Sequence, residues 1–268
     1  MHIKPKKSLG QNFLTDKNIQ RKIIQACKLG AEDIVLEIGS GRGDLTALIA
    51  QKVRQVYAVE LDLRLYPLLE ASLLGHENCQ IIKNDILKFD LDQFLRNNGV
   101  GKKIKIIGNI PYYITSPIIE HLIRYRQRIG RAFLTVQKEF AQRIKACPGS
   151  KAYGSFSCFV QYYAEPEIIF EISRNSFKPV PKVESCFLSL AFREQAPVRV
   201  YNQEGFFKLI RTAFNQRRKT LRNSLQGLVE KASLEAYLLG QGIDKNVRPE
   251  EISLEQFAHL YNFLEPAA

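Results

Sequence analysis

Short apolar, β-branched runs recur along the first two thirds of the chain. They lie at 33–39 (DIVLEIG), 55–61 (QVYAVEL), 79–85 (CQIIKND), 104–109 (IKIIGN) and 132–137 (AFLTVQ). Nearly continuous apolar runs of this length read as strands buried on both faces. Between them, 44–53, 61–74 and 116–129 carry apolar residues at helical spacing. Strands alternating with helices predict a mostly parallel sheet covered on both sides. Two further runs, 166–173 (PEIIFEIS) and 185–192 (SCFLSLAF), follow closely, joined through the proline-bearing stretch FKPVPKV. They are expected to form an antiparallel pair at the sheet edge.

After about residue 195 the strand pattern stops. The stretches 204–225, 233–242 and 253–264 read as amphipathic helices. The expected organisation is an α/β domain over 1–195 and a small helical domain over 196–268, with the boundary inside 193–203.

Composition narrows the classes. The 268 residues are 45% apolar, which is material for a real core. No apolar run approaches the ~20 residues of a membrane span, and the start lacks the apolar stretch of a secretory signal. A cytoplasmic protein is expected. Five cysteines (Cys27, Cys79, Cys147, Cys158, Cys186) are far apart, without a C-x-x-C pair, and the four histidines do not cluster with them. Neither a disulfide framework nor a metal site is expected. The net charge of +12 fits nucleic acid or an anionic membrane surface. Its placement favours nucleic acid: Lys4, Lys6, Lys7, Lys17, Arg21, Lys22 and Lys28 stand in the first 28 residues against Asp16 alone. Lys208, Arg211, Arg217, Arg218, Lys219 and Arg222 stand in 201–224 against Glu204. The plainer reading of such runs is solvated helix faces.

The first strand ends in LEIGSGRGDLT, so Gly39, Gly41 and Gly43 form G-x-G-x-G. A dinucleotide fingerprint needs glycine at 44, where this chain has Asp44. Glu37 adds a carboxylate near the strand end. Glu60 closes the second strand about twenty residues after Gly39, a place from which an acid accepts hydrogen bonds from ribose hydroxyls. Asp85 closes the third strand with Ile86 beside it, and Asn109 closes the fourth. Ligands of open parallel sheets sit beyond the carboxyl ends of the strands, so these residues are expected to line one crevice. Acidic strand ends without a phosphate-binding lysine suit the hydroxyls, amine and positive charge of S-adenosylmethionine better than NAD or ATP.

The fourth strand runs into NIPYYIT. The side-chain carbonyl of Asn109 and the backbone carbonyl of Ile110 can both accept from an exocyclic amine. Pro111 stiffens the corner and brings no donor of its own. Tyr112 can stack on a base. An adenine N6 needs no general base before attack, so the lack of a nearby catalytic His or Cys fits amine methylation. The target base has to be unstacked to reach such a pocket. Phe177 is a candidate second wall for that base, or else a core ring that pins its loop.

These residues carry a resemblance to a known family. The likeness covers nearly the whole chain and includes the stretches KKSLGQNFL, EIGSGRGDLT, VELD, NDIL, NIPYYITSPII, VQKEFAQRI, SKAYGSFS, FKPVPKVES and AFNQRRKTLRNSL. The chain resembles the bacterial 16S ribosomal RNA adenine N6,N6-dimethyltransferases of the kasugamycin-sensitivity family. The resemblance implies a Rossmann-like S-adenosylmethionine-dependent methyltransferase sheet, mostly parallel with an antiparallel edge, followed by a small helical rRNA-binding domain. It implies two methyls on each of two adjacent adenosines in the hairpin near the 3′ end of 16S rRNA, in immature small subunits, with a role in their biogenesis. By position it places Asn12 and Leu14 at the cofactor beside Gly39, Gly41, Glu60, Asp85, Ile86 and Asn109. It makes Asn109, Pro111 and Tyr112 the catalytic corner, and assigns Arg217, Arg218, Lys219 and Arg222 to RNA. A monomer is expected. Ser40 and Tyr113 depart from the residues many members carry, proline and asparagine.

Three other readings stand beside this one: a 23S rRNA adenine methyltransferase of the macrolide-resistance type, a DNA adenine methyltransferase, and a non-catalytic RNA-binding assembly factor. The DNA enzyme would need a target-recognition domain larger than the ~70 residues available after the α/β part.

Overall fold

The computed structural model describes residues 3–216 and 218–264. Its main sheet has seven strands in the order β4-β3-β2-β5-β6-β9-β7. These are β2 (Ile34–Ile38), β3 (Gln55–Glu60), β4 (Cys79–Lys83), β5 (Ile104–Asn109), β6 (Ile129–Gln137), β7 (Ala164–Ile172) and β9 (Ser185–Phe192). The pairs β2–β3, β3–β4, β2–β5 and β5–β6 are parallel, and β9 runs antiparallel to β6 with Leu134 opposite Leu188. The unbroken apolar runs have their cause here. All five residues of β2 are buried, whereas β4, at the edge, leaves Gln80 and Lys83 exposed.

Helices connect the parallel strands: α2 (Asp44–Ala50), α3 (Tyr66–Ser72), α4 (Leu91–Asn97) and α5 (Thr115–Arg124). Ahead of the sheet, Asp16 caps α1 (Lys17–Ala26) by accepting from the N–H groups of Asn18 and Ile19 at 2.9 and 3.2 Å. The sequence hides one further element. Strand β1 (Phe13–Leu14) pairs antiparallel with β8 (Phe177–Lys178), which fastens the N-terminal segment to a loop more than 160 residues away. β2 lies between β3 and β5, so strand order reverses there. A crevice forms beyond the carboxyl ends at such a switch point.

Packing divides the chain into two units. One comprises the chain up to Ala141 together with Glu165–Phe192; the other comprises Gln142–Ala164 and the chain from Arg193 onward. The break after Phe192 lies beside the sequence boundary, but 142–164 packs with the second unit. The reason is burial: Tyr153, Cys158 and Tyr162 join Phe206, Phe214 and Phe257 in one apolar cluster. Those first three residues flank or lie on α7 (Ser155–Tyr163), which follows α6 (Lys138–Lys145). The remaining helices of the second unit are α8 (Gln203–Phe214), α9 (Leu221–Ser224), α10 (Lys231–Gly240) and α11 (Leu254–Leu264). The helix read over 204–225 is therefore interrupted between Phe214 and Leu221. Among the described residues no helix is long and apolar enough to cross a membrane.

Candidate active site

A crevice lies beyond the carboxyl ends of β2–β5, within the first unit. Gly39, Gly41, Glu60, Asp85, Ile86, Asn109, Pro111 and Tyr112 all line it, and Asn12 closes it from the N-terminal segment. Ile38, Val59 and Ile118 supply apolar wall. No lysine, arginine, histidine or cysteine is among the described lining residues.

The glycine loop is tied down from within. Gly39, Gly41 and Gly43 have φ of 73°, 59° and 85°. The N–H groups of Gly39 and Ser40 both donate to the Val59 carbonyl, at 2.9 and 3.3 Å, and that of Gly43 to the Ser40 carbonyl at 2.9 Å. The Gly41 N–H donates to Glu60 Oε2 at 2.8 Å. A pyrophosphate held at a glycine loop needs such N–H groups turned toward it. Here those of Gly39, Ser40 and Gly41 are spent on the neighbouring strand end and that of Gly43 within the loop itself. Gly43 also allows close packing, since a Cβ there would lie 1.8 Å from Ser72 Oγ on α3.

Glu60 is buried, and its Oε1 accepts from the N–H groups of Leu61 and Asp62 at 2.9 and 2.8 Å. Burial raises its pKa, and the three backbone N–H bonds oppose that rise. A carboxylate has about four lone-pair sites, so Glu60 keeps one, on Oε2, for a hydroxyl donor. Asp85 accepts from the Leu87 N–H at 3.0 Å through Oδ1 and is half-buried at the crevice wall. Glu37 stands behind the site. Burial pushes its pKa up to about 7, against the hydrogen bond that Thr46 Oγ1 donates at 2.5 Å, with Glu60 and Asp44 adding like charge. Acceptors without cations, on apolar walls, suit a ligand bearing hydroxyls, an amine and a positive charge.

At the end of β5, Asn109 Nδ2 donates to the Asn12 carbonyl at 2.8 Å. That bond assigns the two ends of the amide and leaves Oδ1 as its acceptor. Pro111 has φ −62°, and its carbonyl accepts from the Ile114 N–H at 3.2 Å, closing a single turn of 3-10 helix over Tyr112–Ile114. The Tyr112 hydroxyl shares a 2.7 Å hydrogen bond with the Ser185 hydroxyl, and burial raises its pKa. Tyr112 is thus a neutral, half-buried ring beside the amide.

Two predicted site residues lie elsewhere. Leu14 and Phe177 do not line the crevice; both pack in the core of the first unit, and Phe177 is 0% exposed. The β1–β8 pairing sets Leu14 opposite Phe177, and both of these side chains are buried while Lys178 is exposed. Phe177 is therefore the core ring that pins its loop, not a wall for a base. In the second unit Arg218 and Lys219 are exposed. Arg222 is engaged by Glu235 at 2.8 Å. Arg217 lies outside the described residues. The five cysteines are free; burial pushes the thiols of Cys27 and Cys158 up to about 12, which leaves them protonated.

Tyr113, which the sequence marks as a departure at the base pocket, lines the crevice; sequence reasoning missed Gln11, which also lines it, and Asp62 behind it. Gln11 Nε2 donates to Asp62 Oδ2 at 2.9 Å, and Arg64 donates to the same carboxylate at 2.6 and 2.8 Å. The Arg64 contact and the Gln11 bond hold the Asp62 pKa down at about 2. Gln11 sits inside the quoted QNFL stretch, but nothing local signals a partner 51 residues on.

The strand order, the antiparallel β9 and the acid-lined crevice at the switch point define a Rossmann-like methyltransferase. Residues 2–266 match the family described as ribosomal RNA adenine dimethylase, and the chain belongs to that family. It is 43% identical over 265 residues to the ribosomal RNA small subunit methyltransferase A of Lachnoclostridium phytofermentans, covering 97% of this chain and 91% of that one. Among solved structures, the 23S rRNA methyltransferase ErmE has a TM-score of 0.75 and 26% identity, over 95% of this chain and 100% of that one. A dimethyladenosine transferase from Plasmodium falciparum has a TM-score of 0.75 and 27% identity, over 92% and 95%.

Proposed function

We propose that this enzyme uses S-adenosylmethionine to dimethylate N6 of two adjacent adenosines in the hairpin near the 3′ end of 16S rRNA. Its substrate is the immature small ribosomal subunit, in the cytoplasm, and it works as a monomer. The first domain holds the donor and the target base, and the helical domain meets rRNA. One observation carries the reading: Asn109, which lines the crevice with Glu60 and Asp85, is clamped through Nδ2 to the Asn12 carbonyl and keeps Oδ1 as its acceptor.

S-adenosylmethionine supplies an electrophilic methyl on a cationic sulfur. Glu60 takes one ribose hydroxyl through the remaining Oε2 lone pair, and Asp85 takes the adenine amine of the donor. Gly39, Gly41, Asn12 and Ile86 form the surrounding wall. Asn109 Oδ1 and the Ile110 carbonyl hold the two N–H groups of the target amine, which fixes the direction of its lone pair. Pro111 sets the corner, and Tyr112 packs on the target base. Tyr112 stays neutral and no histidine is among the described lining residues; the departing proton goes to water after transfer.

Support for the small-subunit target is the 43% identity to a small-subunit enzyme, against 26% to the 23S enzyme ErmE. Unmethylated small subunits, incubated with the enzyme and donor, are digested and mapped by mass spectrometry. Two neighbouring N6,N6-dimethyladenosines in the 3′ hairpin are expected. A mark confined to 23S rRNA, or to duplex DNA offered alongside, would overturn the assignment.

A further inference from the structure

The crevice presents two aromatic rings in succession, and only one has been given work. Tyr112 is half-buried, with its hydroxyl held by Ser185. Phe177 offers no face at all. Tyr113 is 61% exposed and still belongs to the crevice lining. Its ring is seated on the N-terminal segment: a Cβ built on Gly10 would meet Tyr113 Cδ1 and Cε1 at 3.0 and 3.1 Å. Gly10 has φ +59°, and the segment around it is anchored on both sides, by Gln11 to Asp62 and by the Asn12 carbonyl to Asn109. One side of the ring thus lies close to Gly10 on an anchored segment, and much of the rest is exposed. Lys6 is exposed on the same segment.

We infer that Tyr113 is a stacking platform for the nucleobase next to the target adenine, with Lys6 available to the phosphate between them. This inference rests on the crevice being the site of RNA adenine methylation. A single-stranded loop that delivers one base into a pocket exposes the face of its neighbour. A rigid aromatic ring at the rim captures that face without reading its sequence. The backing by Gly10 matters because a ring fixed in advance loses less freedom on binding. Tyr113 is a positioning residue for RNA, distinct from the donor site.

The test is steady-state kinetics of the full chain on unmethylated small subunits, with donor affinity measured separately by calorimetry. For Tyr113→Ala, KM for subunits should rise roughly tenfold, with kcat and donor affinity unchanged. Tyr113→Phe, which keeps the ring, should restore KM. Gly10→Ala, whose Cβ collides with the ring, should raise KM in the same way, and a thermal melt shows whether it is folded. An unchanged KM in Tyr113→Ala overturns the inference, as does a loss of donor affinity in step with it, which would make the ring mere crevice wall. A wild-type enzyme that methylates no adenine in subunits removes the reading underneath. A wild type that does so, with an indifferent Tyr113→Ala, removes this inference alone.

Discussion

At the scale of single residues, the site depends on where lone pairs are already committed. Three backbone N–H groups point at Glu60. Glu60→Gln would set an amide NH2 against one of those donors, at about 1–3 kcal/mol per buried group left unpaired. We expect a lower melting temperature and at least tenfold weaker binding of S-adenosylmethionine by calorimetry, with rRNA binding kept; undiminished methylation by this variant would leave the acid without its assigned role. Glu37 has a pH signature. Its folded pKa, about 7, lies above that of an unfolded glutamate near 4.5. The folded state therefore holds the extra proton between those values, and wild-type stability falls as pH rises from about 4.5 to 7. Glu37→Gln, whose amide oxygen can still accept from Thr46, removes that slope. Relative to wild type it should gain about 2 kcal/mol between pH 5 and 8 in urea unfolding, and parallel curves would refute the shift. The sequence displayed Glu60, Asp85 and Asn109 because each interrupts an apolar run at its end. It could not display the Gln11–Asp62 bond or the burial of Phe177, because both depend on chain segments brought together by folding.

At the scale of elements, close approach decides more than propensity. The glycine loop reaches α3 at Gly43, where φ is 85° and a Cβ would overlap Ser72 Oγ. Gly43→Ala should cost about 2–4 kcal/mol, from left-handed strain together with overpacking. A scanning calorimeter reads this as a fall in melting temperature, and Ser72→Gly should recover part of it by removing the obstructing hydroxyl. The parallel strands were readable because burial on both faces leaves an uninterrupted apolar signature. The β1–β8 pair was not, since two residues per strand carry no period. α7 also escaped. Tyr153, Cys158 and Tyr162 look like ordinary polar-aromatic sequence until they meet the phenylalanines of α8 and α11. The break between α8 and α9 follows from Thr220, whose hydroxyl accepts from the Asn223 N–H and starts a new helix.

At the scale of the whole molecule, the charge of +12 concerns the partner. Arg218 and Lys219 are exposed, whereas Arg222 is engaged by Glu235. Replacing Arg218 and Lys219 by alanine should lower the slope of log K against log salt by about 1.5 for binding to small subunits, and Arg222→Ala should change it less. Filter binding across a salt series measures this, and an unaltered slope would return both residues to ordinary solvation. The β1–β8 pairing reaches further, into the order of events during synthesis. The segment with Gln11 and Asn12, one side of the crevice, leaves the ribosome first. Its strand partner, Phe177–Lys178, emerges only some 160 residues later. On a nascent chain the bonds of this segment to Asp62 and Asn109 can therefore form long before the β1–β8 pair closes, so that pairing is the last of its ties to be made.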